Sequence, residues 1–148
     1  MMDGLILVLT ALAGCLMPVQ PAVNAVTAVY MNSPYLASFF SFLTGTVALG
    51  LLCLAMRLPW PGGRVVADLP WWAWTAGAMG AFFVTMTIVA VPRLGTMSVM
   101  ALLIAGQMAA SLVMDHYGWL GVAAQPISLG RIAGAVLLFA GVILIRKF

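Results

Sequence analysis

The chain has 148 residues, of which 65% are hydrophobic and 6% are charged. Soluble domains carry about 25% charged residues, so these few charged side chains cannot cover a water-exposed surface. The composition therefore excludes a soluble domain and predicts an integral membrane protein solvated by the lipid bilayer. The net charge of +3 comes from scattered Lys and Arg residues, which report orientation in a membrane protein and do not indicate nucleic-acid binding.

Five apolar stretches are long enough to cross a bilayer as helices. A helix of about 20 apolar residues spans the roughly 30 Å hydrocarbon core. We therefore predict an all-α integral membrane protein, with one transmembrane domain over residues 1–148, in the cytoplasmic (inner) membrane. The five predicted helices cover about residues 4–29, 35–56, 71–91, 95–114 and 129–145.

The first of these segments combines helix breakers with polar side chains. Pro18 and Pro21 each remove a backbone donor, so the helix must kink or partly unwind there. Gln20, Asn24 and Thr27 follow one helical stripe. Such groups either bond to a neighbouring helix or line a cavity at membrane depth. The prolines beside the amides favour a cavity, with Pro18 and Pro21 as its hinge.

The fourth segment adds one amide near its middle, Gln107. Met100 lies on the same helical face and supplies a flexible, polarisable wall, although packing is the alternative for a methionine. In the third segment Thr85 contributes a hydroxyl group. We expect these groups to bind a small polar or amphipathic organic solute. The predicted solute-binding residues are Gln20, Asn24, Thr85, Met100 and Gln107.

The fourth segment is followed by Asp115 beside the only histidine, His116. Adjacent residues point about 100° apart on a helix, so these two do not form a catalytic pair. The Asp115 carboxylate can pair with Arg131, because both lie on the membrane side that holds the N-terminus. A structural cap or salt bridge is favoured over a gating or proton-relay role.

No metal, cofactor or enzymatic activity is expected. Cys15 and Cys53 fall within apolar segments, and neither has a histidine or second cysteine at ligand spacing. An intramembrane hydrolase needs two carboxylates or a Ser/His pair at membrane depth, and the sequence offers neither.

The fifth segment carries a glycine seam. Gly130 and Gly134 form a GxxxG pair, and Gly141 follows on the same face. Small residues at this spacing let helix backbones approach closely. We predict that this seam packs against another helix and is a candidate dimer interface.

The positive charges do not choose an orientation. With five spans, three basic residues fall on each side of the membrane, whereas an excess normally marks the cytoplasmic side. Either another determinant sets a weakly biased topology, or copies insert both ways up. Two inverted copies would form an antiparallel homodimer with the symmetry of an inverted-repeat transporter. The N-terminal side receives Arg57, Arg64 and Arg131, and the other side Arg93, Arg146 and Lys147.

Several groups of residues, taken in order, also match a known family pattern. They are Gln20, Pro21 and Asn24; Ser33, Pro34, Ser38, Phe39 and Gly45; Trp71, Trp72, Ala73, Trp74, Gly77 and Gly80; Pro92, Arg93, Leu94 and Gly95; and Gly106, Gln107, Ser111, Asp115, His116, Tyr117, Gly118, Trp119, Pro126, Ile127, Ser128, Arg131 and Gly134. On these residues the sequence resembles the drug/metabolite transporter superfamily, in its short five-helix YdcZ-like branch.

The resemblance implies half of a ten-helix inverted-repeat transporter fold. It also implies a family that includes dual-topology homodimers, paired opposite-orientation subunits and fused two-domain forms. The related four-helix small multidrug resistance proteins carry a glutamate in their first helix. This chain has no glutamate, which argues against proton-coupled export of multidrug cations.

We therefore predict a small membrane transporter that works by alternating access as an antiparallel homodimer. The alternative is a non-transporting scaffold or accessory subunit of a larger membrane complex. The polar stripe on the first segment argues against the alternative, because a scaffold has little use for two prolines beside two amides.

Overall fold

The computed structural model describes residues 2–148, with side chains from Gly4 onward, and this part of the chain contains helices and turns but no strand. Two short 3-10 turns, Trp71–Trp74 and Trp119–Gly121, interrupt the α-helices. The α-helices are α1 (Met2–Leu16), α2 (Val19–Tyr30), α3 (Pro34–Ala55), α4 (Gly63–Ala67), α5 (Thr75–Leu94), α6 (Thr96–Tyr117) and α7 (Leu129–Lys147).

Five stretches of the described chain are long and apolar enough to cross a membrane, which confirms the all-α five-helix prediction. Large apolar side chains such as Leu7, Val29 and Leu137 are exposed on these helices. Lipid tails are as apolar as these side chains, so a bilayer accommodates a surface that water would not. The spans are Gly4–Tyr30, Pro34–Ala55, Trp71–Leu94, Thr96–Tyr117 and Leu129–Lys147.

The first span, predicted over residues 4–29 with a kink or partial unwinding at its prolines, consists of two helices. Helix α1 ends at Leu16, and α2 begins at Val19. Pro18 has no backbone N–H and its ring crowds the preceding turn, which explains the break. Pro21, in contrast, sits in the first turn of α2, where a missing donor is tolerated. The interruption therefore belongs to Pro18 and not to Pro21.

The third span runs further than expected. It was predicted to close at Pro92, but α5 contains Pro92 and continues to Leu94. The helix stops one residue later because Gly95 has φ 79° and ψ 150°, a backbone conformation that favours glycine. The break between α5 and α6 is therefore made at Gly95.

The connection predicted between the fourth and fifth segments also begins later. Helix α6 extends to Tyr117, so Asp115 and His116 lie in its last turn and not in a loop. Gly118 ends the helix in the left-handed conformation, and its N–H donates to the carbonyl of Met114. A further difference is α4, a short helix between the predicted segments 35–56 and 71–91.

The described chain divides into two compact units. The first contains residues up to Pro18 and Leu94–Phe148. Within it α6 packs on α7, around the buried side chains of Ala101, Ala105 and Val142. The two small alanines let the helix backbones approach closely.

The second unit is Val19–Arg93. Helix α2 packs on α3, and α5 joins α3 through the buried side chains of Ala37, Val84 and Ile88. Gly80 faces this contact, since a Cβ atom there would lie 3.1 Å from the Phe42 ring. Glycine thus permits the close approach of α5 to α3.

Candidate functional site

A pocket of about 390 Å³ lies beside α2 and α3 in the second unit. Five of its lining side chains carry an amide or a hydroxyl group, and none is charged. The predicted solute-binding residues Gln20 and Asn24 are both in its wall. The lining residues are Gln20, Val23, Asn24, Thr27, Ala37, Phe40, Ser41 and Thr44.

Asn24 is the most constrained polar group of this pocket. Its side chain is 7% exposed, and its Nδ2 atom donates to Ser41 Oγ at 3.2 Å. An asparagine amide offers two N–H donors and a carbonyl acceptor, so this single bond leaves capacity unused. No fully enclosed polar side-chain atom of the described residues lacks a partner, so the Asn24 carbonyl oxygen is not fully enclosed, and the residue lines the pocket. Asn24 therefore presents a preformed hydrogen-bonding group to whatever fills this space.

The hydroxyl groups of the same pocket are partly satisfied by their own helices. Thr27 Oγ1 donates to the Val23 carbonyl at 3.1 Å, and Thr44 Oγ1 donates to the Ser41 carbonyl at 2.9 Å. Both oxygens retain lone pairs that can accept a hydrogen bond. The pocket can thus exchange neutral hydrogen bonds, and it offers no charge to hold a bare ion.

Thr85 has a different environment from the one expected for a solute-binding wall. Its side chain is buried, and its hydroxyl oxygen lies 2.8 Å from that of Ser38. Because Ser38 Oγ also donates to the Pro34 carbonyl at 2.9 Å, Thr85 is the donor to Ser38. This bond joins α5 to α3 and accounts for Thr85 without a solute.

Gln107 and Met100 share a pocket of about 380 Å³ within the first unit. Their common face on α6 follows the helical spacing seen in the sequence. Gln107 contributes an amide group to the pocket lining, and Pro18 also lies in that lining. The other lining residues are Gly14, Met17, Leu103 and Ile104, which make this pocket mainly apolar.

Asp115 and Arg131 form a salt bridge in the first unit. Arg131 Nη1 lies 3.3 Å from Asp115 Oδ2, and both side chains are about one-third exposed, at 32% and 33%. An ion pair of this exposure contributes at most about 1 kcal/mol. The pair joins the last turn of α6 to the first turn of α7.

Gln125, which the sequence did not single out, completes this network. Its backbone N–H donates to the Asp115 carbonyl at 2.7 Å, and its Oε1 accepts from Arg131 Nη2 at 2.8 Å. Its carbonyl also accepts from Arg131 Nη1 at 3.2 Å. His116 Nδ1 accepts a longer bond, 3.4 Å, from the Ile127 N–H. Asp115 and His116 thus both hold the connection that follows α6.

The glycine seam of α7 is open within the described chain. A Cβ atom added at Gly134 or Gly141 would have no other heavy atom within 4 Å, and one at Gly130 would reach only Ser128 Oγ. The described contact of α7 with α6 uses Val142 and Leu138 instead. The dimer role of the seam remains a prediction.

The cysteines and acidic residues of the described part form no metal centre. Cys15 and Cys53 are free thiols. Within the chain that the structure describes, no three His, Cys, Asp or Glu side chains come close enough to hold an ion.

Comparison with known proteins agrees with this architecture. A family model described as "Putative inner membrane exporter, YdcZ" matches residues 5–144. Inner membrane protein YdcZ of Escherichia coli (strain K12) is 32% identical over 85 residues, a match that covers 57% of this chain and 56% of that protein. The chain thus matches little more than half of this relative's length, and no solved structure gives a significant match. Since the family model covers nearly the whole chain, the chain belongs to the DMT_YdcZ family and is a protein of the inner membrane.

Proposed function

We propose that the chain transports a small polar or amphipathic organic solute that is neutral or zwitterionic, in the export direction that its family's description names. The observation that carries this proposal is Asn24, a buried amide with hydrogen-bonding capacity directed at an uncharged polar pocket. A typical hydrogen bond contributes a net free energy of roughly 0.5–1.5 kcal/mol. A solute that bonds to the Asn24 amide gains a contribution of this size, and a solute without hydrogen-bonding groups does not.

Gln107 and Met100 supply a second surface of suitable chemistry. Their pocket combines one amide with an apolar wall, so it favours a solute that has an apolar part. We infer that this surface also contacts the solute during transport.

The break at Pro18 supports alternating access as the mechanism. Discontinuous helices are common at the binding sites of secondary transporters, where freed backbone groups and altered helix direction accompany conformational change. Pro18 lies between two helices and also lines the Gln107 pocket. It is therefore placed where a change in backbone direction would alter the solute environment.

An antiparallel homodimer would complete the transporter. Half of a ten-helix inverted-repeat fold needs an inverted second half, and a second copy inserted the other way up provides one. The balanced basic residues support dual insertion. The open seam at Gly134 and Gly141 supports a helix contact with that copy.

Counterflow into proteoliposomes tests the proposal. A panel of labelled amino acids, amides and polyols is offered to vesicles loaded with the same unlabelled solute. We expect at least one of them to accumulate, and Asn24→Ala to abolish most of that accumulation. Asn32→Gly is the matched control, because it removes an asparagine outside the pocket at φ 48°, a conformation that glycine adopts freely. Full transport by both Asn24→Ala and Gln107→Ala would refute the site.

A further inference from the structure

A third pocket, of about 370 Å³, lies between α6 and α7 in the first unit and plays no part in the proposed transport site. Its charged lining residues, Asp115 and Arg131, lie in the last turn of α6 and the first turn of α7. Met108 and Leu138 each lie seven residues, about two helical turns, deeper along the same helices. The pocket therefore has a charged end at Asp115 and Arg131 and a mainly apolar remainder, in which the Ser111 hydroxyl bonds to its own helix.

The charged groups at this end of the pocket have unused hydrogen-bonding capacity. A guanidinium group has five N–H donors, and Arg131 uses three of them on Asp115 and Gln125. Among the described side chains, Asp115 bonds through Oδ2 alone, which leaves Oδ1 without a donor. The 3.3 Å separation and partial exposure make this a weak ion pair that a ligand can open.

The helix dipoles also favour an anion near Arg131 and a cation near Asp115. Arg131 lies at the N-terminal end of α7, where the helix dipole is positive and favours an anion. Asp115 lies near the C-terminal end of α6, where the dipole is negative and favours a cation. A molecule with an anionic group at Arg131 and a cationic group at Asp115 would complement both side chains and both helix ends.

We propose that this pocket binds a zwitterionic amphiphile. Its carboxylate or phosphate lies against Arg131, its ammonium group lies against Asp115, and its apolar part extends toward Met108 and Leu138. The volume lies at the lower end of the roughly 300–1,000 Å³ range of ligand pockets, so the buried apolar part is short. The proposal does not depend on the transport site, because it uses neither Asn24 nor Gln107.

Calorimetric titration of the purified full chain in detergent tests the ligand chemistry. The probes are L-alanine, L-norleucine and L-2-aminooctanoate, which share a zwitterionic head and differ in the length of the apolar tail. We expect affinity to rise along this series. N-acetylnorleucine and norleucine amide each lack one of the two charges, and each should bind about tenfold more weakly than norleucine.

Variants test the location. Arg131→Gln and Asp115→Asn should each lower norleucine affinity about tenfold or more. Ala135→Leu fills the pocket and leaves both charges in place, so it should weaken binding to a similar extent. Ala133→Leu is its matched control, because Ala133 is exposed on α7 outside the pocket lining, and should change affinity by less than about twofold.

A phospholipid with an ethanolamine headgroup offers the same zwitterionic chemistry. Native mass spectrometry of the chain released from phosphatidylethanolamine and phosphatidylglycerol nanodiscs separates the two sources. Retained phosphatidylethanolamine that is lost in both Arg131→Gln and Ala135→Leu would identify a lipid ligand, whereas norleucine binding with the same variant pattern would identify a free solute. Either result supports the site.

Absence of binding by both probes, or binding that Ala135→Leu leaves unchanged, would overturn the proposal. These measurements detect binding without transport. A failure of the Asn24 transport test therefore leaves them unaffected, and their failure leaves the Asn24 test unaffected.

Discussion

The hydroxyl oxygens of Ser38 and Thr85 lie 2.8 Å apart in the buried contact between α3 and α5. The two residues are 47 positions apart in the chain, so this bond is a tertiary contact between two membrane spans. It changes the interpretation of Thr85, from a group that faces a solute to one that joins two helices. Among the polar residues of the second unit, Ser38 and Thr85 thus join two helices, whereas Asn24 bonds to Ser41 and also lines a pocket.

A double-mutant cycle on this pair should detect coupling. Ser38→Ala deprives the Thr85 hydroxyl of its acceptor in a buried site, and should lower the free energy of unfolding by about 1 kcal/mol. Adding Thr85→Val should then cost less than it does alone, with a coupling energy of about 0.5–1 kcal/mol. Denaturation in mixed micelles measures these values. Thr46→Val serves as the control, because its exposed hydroxyl bonds only to the Phe42 carbonyl of its own helix. Strict additivity would contradict the contact.

Gly95→Ala should destabilise the chain. Gly95 has φ 79° and ψ 150°, a region that side-chain-bearing residues occupy at a cost of about 1–3 kcal/mol. Gly50→Ala is the control, since Gly50 lies within α3 with open space around it, and should be neutral or stabilising. Thermal denaturation of the detergent-solubilised variants measures the midpoint of each. Equal midpoints would show that the break between α5 and α6 does not need a glycine.

Pro18→Ala and Pro21→Ala should behave differently, although both were predicted as hinges. The first restores a donor at the break and favours a continuous helix from α1 into α2, so transport should fall while insertion stays normal. The second changes a first-turn position, where no backbone donor is needed, and should leave the helix break in place. Counterflow measures transport, and amide hydrogen exchange around residue 18 measures helix continuity. Equal effects of the two substitutions would remove the special role of Pro18.

Orientation should respond to single basic residues if insertion is dual. In a background with Cys15→Ala and Cys53→Ala, a single cysteine at either terminus should be labelled from both sides of the membrane. Arg93→Gln leaves three basic residues against two and should favour the N-terminal side as cytoplasmic. Arg64→Gln reverses the imbalance and should shift the population the other way. A single fixed orientation that ignores both substitutions would exclude the inverted homodimer and point to a separate partner chain.

The ends of the helices at prolines could not be predicted from the sequence. Pro92 is a strong helix-ending signal, yet α5 continues through it to Leu94, because a proline removes its own donor without forbidding the next turn. Residue type alone did not distinguish Pro18, which breaks a helix, from Pro21, which lies in the first turn of one. That difference depends on where the backbone begins its next turn.

The pairing of Asp115 with Arg131 could be predicted from the sequence. Both residues were placed on one side of the membrane by counting spans, and the pairing followed from charge. Gln125 could not be inferred, because its contribution includes its backbone N–H and carbonyl, and these depend on how the connection folds back on α6.

The sequence by itself determined that this chain lies in a membrane, that it has five segments long and apolar enough to cross it, and that it resembles the YdcZ-like family. These properties follow from composition and from the order of residues, since apolar length sets membrane spans and few charges exclude a water-exposed surface. Only the tertiary structure decided which polar groups are free to bind. Asn24 and Thr85 are both polar residues of apolar spans, but one opens to a pocket and the other is committed to Ser38. A hydrogen bond between residues far apart in the chain requires a donor–acceptor distance within a few tenths of an ångström of about 2.9 Å, and no local sequence pattern specifies that distance.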